Sequence, residues 1–292
     1  MSLYPLFARP RNIGQAAEVL ESISSGVVVI AGGQELMPHV NYGVLQPEVY
    51  VDINALPELK GISEDDGFVS IGALTVHRDC FTNPIVQEKL PLLAEAMRLI
   101  GGGRQVHNRA TIGGNIVAMH PLYDVIPSLL ALGAEVDVAR GGEVRRVSLK
   151  DLMNDPRHGL GSEAILVRVL VRPMSAGTGF AYEKLKSSGG AYGSANAAVT
   201  LSLSGGMIGA LRVVVGAVAD KVIDVSDALA FCNGQAWTDT LAREVERHCA
   251  GLIEQPLSDH QGDGEWRTAM AGVVVRRAMH RAVERAGAQE RQ

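Results

Sequence analysis

Two glycine-rich bends are the places in this chain where residue type and spacing could do chemistry. The first is Val27-Val28-Val29-Ile30-Ala31-Gly32-Gly33-Gln34-Glu35-Leu36, an apolar run that ends directly in paired glycines. Two successive residues without Cβ let backbone N–H groups converge on an anion, which is how a loop can hold a pyrophosphate without a lysine. Taken alone, the run is more simply an ordinary strand-to-turn junction, because short Gly-Gly turns are common. The second bend runs from Ile100 through Gly101, Gly102 and Gly103 to Ala110-Thr111-Ile112-Gly113-Gly114-Asn115, with five glycines in sixteen residues. Each glycine costs backbone entropy on folding, so a ligand-facing backbone explains the cluster better than a surface loop does. Thr111 adds a hydroxyl and Asn115 an amide able to bond phosphate or hydroxyl oxygens, and Tyr123 and Asp124 follow about two helical turns later.

What is absent narrows the chemistry further. No GxGxxG follows the first apolar run and no GxxxxGK[ST] occurs, so neither a Rossmann dinucleotide site nor a P-loop is supported. None of the eight histidines forms an HxxxH or HExxH pair, and His39, His77, His107 and His120 read as surface or loop residues in preference to metal ligands. The three cysteines, Cys80, Cys232 and Cys249, are too few and too scattered for a disulfide framework, a zinc site or an iron–sulfur cluster. No catalytic acid–base dyad stands out, so the chain reads as having no catalytic residue and no metal of its own.

A net charge of −5 gives no field that would gather nucleic acid or anionic lipid, which leaves small molecules and proteins as partners. Met1 to Pro10 lacks a cationic region followed by an apolar run, so it is not read as a secretory signal. No stretch of about 18 apolar residues predicts an integral membrane span, and the expected location is cytoplasmic.

The elements that must position the two bends follow from periodicity. Asn12 can cap a helix whose apolar face is Ile13, Ala16, Ala17, Leu20 and Ile23, with Gly26 after it. Val27–Ile30 and Val49–Ile53 read as strands joined by a connection long enough to cross over, hence a small parallel sheet. From about Phe68 the pattern turns mainly antiparallel. Phe68 to Gly72 is a strand, Ala134 to Ala139 and Glu143 to Leu149 form a hairpin, and Ile165 to Val171 is a β-branched strand. Helices fall near Pro91 to Ile100 and Ile126 to Leu132. Met174 to Gly179 is the best boundary. Beyond it, Asn196 to Ser204 and Gly209 to Val218 read as antiparallel strands, and Thr238 to Ala250 and Trp266 to Ala286 as helices.

The two bends, in this order and at this separation, resemble the FAD-binding medium subunit of the molybdenum hydroxylases, the family of xanthine dehydrogenase and aerobic carbon monoxide dehydrogenase. The likeness also includes Phe7-Ala8-Arg9-Pro10, Ile71-Gly72-Ala73-Leu74-Thr75, Asp124-Val125-Ile126-Pro127, Ile165-Leu166-Val167 and Ala181-Tyr182-Glu183-Lys184-Leu185-Lys186, and covers nearly the whole chain. It implies an α+β fold: a two-subdomain FAD-binding domain of the vanillyl-alcohol-oxidase (PCMH) type over 1–175, divided into 1–57 and 58–175. A C-terminal α+β domain, with a small antiparallel sheet and helices, would span 176–292. The flavin would lie between them.

By the same resemblance the first bend, Val29, Ile30, Ala31, Gly32, Gly33, Gln34, Glu35 and Leu36, holds the pyrophosphate region. Thr75, Gly101, Ala110, Thr111, Gly114, Asn115, Ala118, Tyr123, Asp124, Leu166 and Lys184 complete the cofactor contacts, and Tyr192 is placed over the isoalloxazine. Read without the family, Lys184 is equally a solvated charge at a strand edge and Leu166 is core. The implied function is electron transfer. An iron–sulfur small subunit with [2Fe-2S] clusters and a large subunit with the molybdenum cofactor would join this chain, as a dimer of heterotrimers, and electrons would leave through FAD to a small-molecule acceptor. Two other classes are a self-sufficient flavin oxidase or dehydrogenase of the same fold, which needs its own substrate pocket and usually a longer chain, and a flavin-free assembly subunit.

The sequence departs from the family in Gln34-Glu35, in His120-Pro121 and in the small, neutral Ser187-Ser188-Gly189-Gly190-Ala191. The carboxylate of Glu35 would repel a pyrophosphate, so its side chain is expected to point away and its backbone N–H to face the phosphate.

Overall fold

The computed structural model describes residues 5–23, 25–155, 160–161 and 163–290; of the opening read for a leader, residues 1–4 lie outside the described residues. The fold mixes helix and sheet in two compact units that are not consecutive in the chain. One comprises Met1–Ile85, Arg104–Ala118 and Gly133–Arg172, the other Val86–Gly103, Met119–Leu132 and Pro173–Gln292.

The first unit holds two sheets. Strands β1 (Leu6–Ala8), β2 (Val27–Ile30) and β3 (Val49–Asp52) pair in parallel in the order β1-β3-β2. The expected parallel sheet is present, with β1 as an added strand too short to show periodicity. Helix Ile13–Ser22 provides the crossover: Asn12 Oδ1 accepts the Gln15 N–H at 2.9 Å, and Ala16 and Leu20 pack with Val51, Ile53, Leu56 and Leu59. Burying such side chains supplies roughly 1.5–3 kcal/mol each for the larger ones, which is what anchors β2 and the bend after it.

Strands β4 (Ile62–Asp65), β5 (Phe68–Gly72), β6 (Glu135–Arg140), β7 (Glu143–Ser148) and β8 (Ile165–Val171) form an antiparallel sheet in the order β4-β5-β8-β6-β7. β8 lies centrally and is buried at all but one of its positions, so it reads as an unbroken apolar run. β4 escaped the sequence reading because Ser63, Glu64 and Asp65 make it a polar edge strand.

In the second unit, β9 (Gly179–Leu185), β10 (Ala195–Ser204), β11 (Met207–Gly216) and β12 (Ile223–Asp224) form an antiparallel sheet in the order β12-β11-β10-β9. Ala197, Val199, Val213 and Val215 share a core with Val245 of helix Asp239–Gly251 and with Val274, Val275 and Ala278 of helix Gly264–Glu290. Tyr182, Ala198 and Val214 pack in a separate core with Leu92 and Ala96 of helix Pro91–Arg98 and Ala131 of helix Val125–Ala131. Alternate residues thus enter different cores, which explains the nearly continuous apolar stretch Ala195–Leu201. Glu95 joins helix Pro91–Arg98 to the last helix by ion pairs to Arg281 (2.7 Å) and Arg285 (2.8 Å).

Helices Pro91–Arg98 and Val125–Ala131 fall, in sequence, inside the segment read as following Phe68, yet both pack on the C-terminal sheet. Chain order alone carries no signal that a segment has left one unit and returned to it. Among the described residues, no helix is long and apolar enough to cross a membrane.

Candidate functional site

The first bend is built by an edge strand and a short helix. β2 delivers Ala31-Gly32-Gly33-Gln34-Glu35 directly to helix Leu36–Asn41, and Gly33 turns the chain with φ of +72°. That left-handed conformation is open to glycine at no steric cost. Asn54 steadies the bend from the side: its Nδ2 donates to the Ala31 carbonyl at 3.0 Å and the Ile30 carbonyl at 3.3 Å, and its amide side chain is itself held by Asp52 at 2.9 Å. Sequence reasoning missed Asn54, which carries no distinguishing signal beyond being an asparagine just after a strand. The Glu35 carboxylate runs along the helix to His39 Nε2 at 3.9 Å.

The second bend from Arg104 to Asn115 belongs to the same unit. Thr111 bridges to Val76, the His77 N–H donates to the Ala110 carbonyl at 3.0 Å and the Ile112 N–H to the Thr75 carbonyl at 3.0 Å. These bonds launch helix Ile112–Ala118. Thr111 Oγ1 accepts the Gly114 N–H at 3.1 Å, a cap that fixes the first turn. Thr75 supports this bend from behind, its own hydroxyl spent on the Gly61 carbonyl at 3.1 Å, where it lines a cavity of about 160 Å³ with Lys60, Asp79 and Asn83.

The two bends meet. A Cβ on Gly32 would fall on the carbonyl oxygen of Arg109 and crowd the backbone of Ala110. Glycine 32 is therefore required by close backbone packing, and so is Gly113, where a Cβ would lie 2.7 Å from the Ala73 carbonyl oxygen. This corrects the reading that ligand approach accounts for the glycine cluster as a whole. Gly114 is different: it is exposed, and its Cβ would meet only the Thr111 hydroxyl, at 2.9 Å. Within 110–115, Gly114 is thus the glycine left open to a ligand.

Asn115 lies beside Gly114 in the same first turn, buried, and its Oδ1 has no hydrogen-bond partner among the described residues. An unpaired buried acceptor costs about 1–3 kcal/mol, so it calls for a donor from outside the chain. A bare phosphate only accepts; a ligand carrying hydroxyl or N–H groups supplies what Asn115 lacks. FAD offers both a diphosphate for the backbone of the bends and such donors for Asn115, so the residues present fit it. Ala118 ends the helix half-buried, and Leu166 is buried in β8 opposite Val138.

The remaining residues belong to the second unit. Lys184 and Asp124 form an ion pair of 2.6 Å with side chains only 1 % and 4 % exposed. This overturns the alternative of a solvated edge charge. The pair is embedded in hydrogen bonds: the Tyr182 hydroxyl donates to Asp124 Oδ1 at 2.7 Å, and Lys184 Nζ donates to the Leu99 carbonyl at 3.2 Å. Complete burial, reinforced by the Asp124 charge, pushes the Tyr182 hydroxyl well above its ordinary pKa of 10, so it remains a donor. Tyr182 and Lys184 are i and i+2 on β9 and share a face, and sequence reading had left Tyr182 unassigned.

Next to Lys184 across the sheet, Asn196 is fully buried with neither side-chain polar atom hydrogen-bonded among the described residues. Tyr123, His120 and Tyr192 form a ring cluster, with His120 centroids 4.8 Å from Tyr123 and 5.7 Å from Tyr192. His120 Nδ1 accepts the Leu122 N–H at 3.2 Å, which orients the ring. Gly101 packs against the backbone of 190–191, where a Cβ would lie 2.8 Å from the Ala191 oxygen.

His77 corrects another expectation. It is buried at 1 % exposure, behind the second bend, and not on the surface. Among the described residues no group of three or more His, Cys, Asp or Glu side chains could hold a metal, and all three cysteines are buried and free.

Comparison with known proteins finds relatives over nearly the length of the chain. Residues 4–173 match the family described as the FAD binding domain in molybdopterin dehydrogenase, and residues 180–282 match the CO dehydrogenase flavoprotein C-terminal domain. The carbon monoxide dehydrogenase medium chain of Hydrogenophaga pseudoflava is 37% identical over 275 residues, covering 94% of this chain and 95% of that one. The glyceraldehyde dehydrogenase medium chain of Sulfolobus acidocaldarius is 31% identical over 272 residues, covering 93% and 96%. Among solved structures, carbon monoxide dehydrogenase from H. pseudoflava lacking the Mo-pyranopterin moiety superposes with a TM-score of 0.91 at 35% identity, covering 98% of this chain and 99% of that one.

Proposed function

This chain belongs to the FAD-binding flavoprotein family of the molybdopterin dehydrogenases, which are oxidoreductases, and we propose that it is the electron-transfer subunit of a heteromeric molybdenum hydroxylase. In this reading an iron–sulfur small subunit carrying [2Fe-2S] clusters and a large subunit carrying the molybdenum cofactor assemble with it as a dimer of heterotrimers. Electrons enter from the clusters and leave to a small-molecule acceptor. FAD, when bound, supplies the capacity to exchange electrons both singly and in pairs, and the protein contributes binding, orientation and electrostatics. The medium-chain names of its relatives support the multisubunit assignment.

The observation that carries the proposal is the unpartnered Asn115 acceptor beside the open Gly114, at a helix start fixed by Thr111. The backbone of Val29–Leu36, with Gly32 and Gly33 at its bend, and of Ala110–Gly114 holds the diphosphate. Asn115 takes a donated hydrogen bond, Asp124 and Lys184 hold a fixed pair of charges, and Tyr192 with Tyr123 covers the ring. The resemblance adds Gly101, Thr75, Ala118 and Leu166 to the proposed contacts. We assign residues 1–175 as the FAD-binding domain, in subdomains 1–57 and 58–175, and 176–292 as the C-terminal domain. The two family matches, which end and begin on either side of this boundary, support that division.

The test is purification of the full chain with and without its co-expressed neighbours. The isolated chain is expected to show the absorbance of oxidised flavin at one FAD per chain, with iron and molybdenum only in the assembled complex. Flavin reduction by substrate only in the complex separates this reading from a self-sufficient oxidase. A colourless chain that takes up no added FAD contradicts it.

A further inference from the structure

Lys184 is not the only ammonium on the Leu99 carbonyl. Lys186, two residues further along and on the same side of the chain, donates to that oxygen at 3.3 Å and also to the Gly189 carbonyl at 3.2 Å. Leu99 caps the C-terminus of helix Pro91–Arg98, where unsatisfied carbonyls carry partial negative charge and favour a lysine. One side chain therefore ties residue 99 to residue 189. The backbone of 190–191 lies against Gly101, a contact only glycine permits. On their outer side Gly189 and Gly190 have open space, with nothing within 4 Å of a would-be Cβ. Two residues after Gly190 comes Tyr192, half exposed and stacked on His120.

We propose that Lys186 is a positioning residue: by joining the Leu99 and Gly189 carbonyls it sets the 187–191 loop and so fixes where Tyr192 stands over the flavin. The proposal rests on the reading of Tyr192 as the ring-covering aromatic. It gives a role to the small, neutral segment Ser187–Ala191: a loop of serines, glycines and alanine has little side-chain packing to hold it, and a lysine ammonium, with three donors, holds it through main-chain carbonyls instead.

The experiment compares wild type with Lys186→Met, Lys186→Arg, Tyr192→Leu and the Lys186→Met/Tyr192→Leu double variant, all as the full FAD-loaded chain. Amide hydrogen exchange across 187–192 reads the loop, and emission of bound flavin, quenched by a tyrosine against the ring, reads Tyr192. Lys186→Met is expected to speed loop exchange at least tenfold and raise flavin emission several-fold at unchanged FAD stoichiometry. Lys186→Arg should restore part of both, and the double variant should emit no more than Tyr192→Leu alone. Unchanged loop exchange in Lys186→Met overturns the inference and leaves the flavin assignment standing, as does an emission rise that persists in full on the Tyr192→Leu background. Unchanged emission in Tyr192→Leu overturns the ring-covering reading and the inference with it.

Discussion

Gly32 and Arg109 are in backbone contact: a methyl group on residue 32 would occupy the position of the Arg109 carbonyl oxygen. The contact locks two glycine bends that lie far apart in sequence into one surface. Gly32→Ala is expected to cost roughly 1–3 kcal/mol of stability, the usual range for overpacking, and to lose flavin as a result. Gly114→Ala is expected to cost less stability, since its Cβ meets only the Thr111 hydroxyl, yet to lower flavin occupancy by crowding the exposed backbone. Urea unfolding and flavin occupancy, measured on both variants, check the contrast; equal stability losses would refute it.

Asn115 makes the opposite prediction for the apo and loaded protein. Replacing it with leucine removes a buried acceptor that has no partner among the described residues. The flavin-free chain should gain about 1 kcal/mol, and FAD affinity should fall by at least about tenfold. Calorimetric titration with FAD and melting of the apo-protein measure the two halves separately. An Asn115→Leu chain that binds FAD as tightly as wild type removes this residue from the site.

The Asp124–Lys184 pair is buried, so its two single variants should be worse than the double. Lys184→Met strands a carboxylate and is expected to cost about 3–5 kcal/mol, whereas Lys184→Met/Asp124→Leu should recover much of it. Chemical denaturation of the four proteins closes the cycle. Additive losses would mean that the two charges act independently.

His77 gives the fold an acid sensitivity. Burial, assisted by the neighbouring His107 and partly opposed by the Thr111 backbone, lowers its imidazole pKa to about 4. The unfolded chain, with an ordinary value near 6.5, therefore binds more protons between these two values, and stability falls as the pH drops through that window. The loss from this group reaches about 3 kcal/mol near pH 4 and does not grow below it. Unfolding free energies at a series of pH values, for wild type and His77→Phe, should differ in slope only between pH 4 and 6.5; parallel curves would contradict the burial argument.

Legibility followed the range of the interactions. β2, β8, the hairpin of β6 and β7 and the capped helix Ile13–Ser22 were readable because apolar periodicity and a cap are local signals. The second bend stood out in the sequence because short polar and glycine residues cluster there. What escaped depends on partners distant in sequence. Asn54 matters through the carbonyls of Ile30 and Ala31, and Tyr182 through Asp124. His77 sits inside because Val76 bridges to Thr111. The separate purposes of Gly32, Gly113 and Gly114 likewise appear only once their neighbours are in place, since the same residue type serves close packing in two cases and open approach in the third.

The most direct measurement is a crystal structure of the full chain grown with FAD. The account predicts diphosphate density held by backbone amides at both Ala31–Glu35 and Thr111–Asn115, with a donor group of the cofactor on Asn115 Oδ1. A fully occupied FAD that touches neither bend would contradict it.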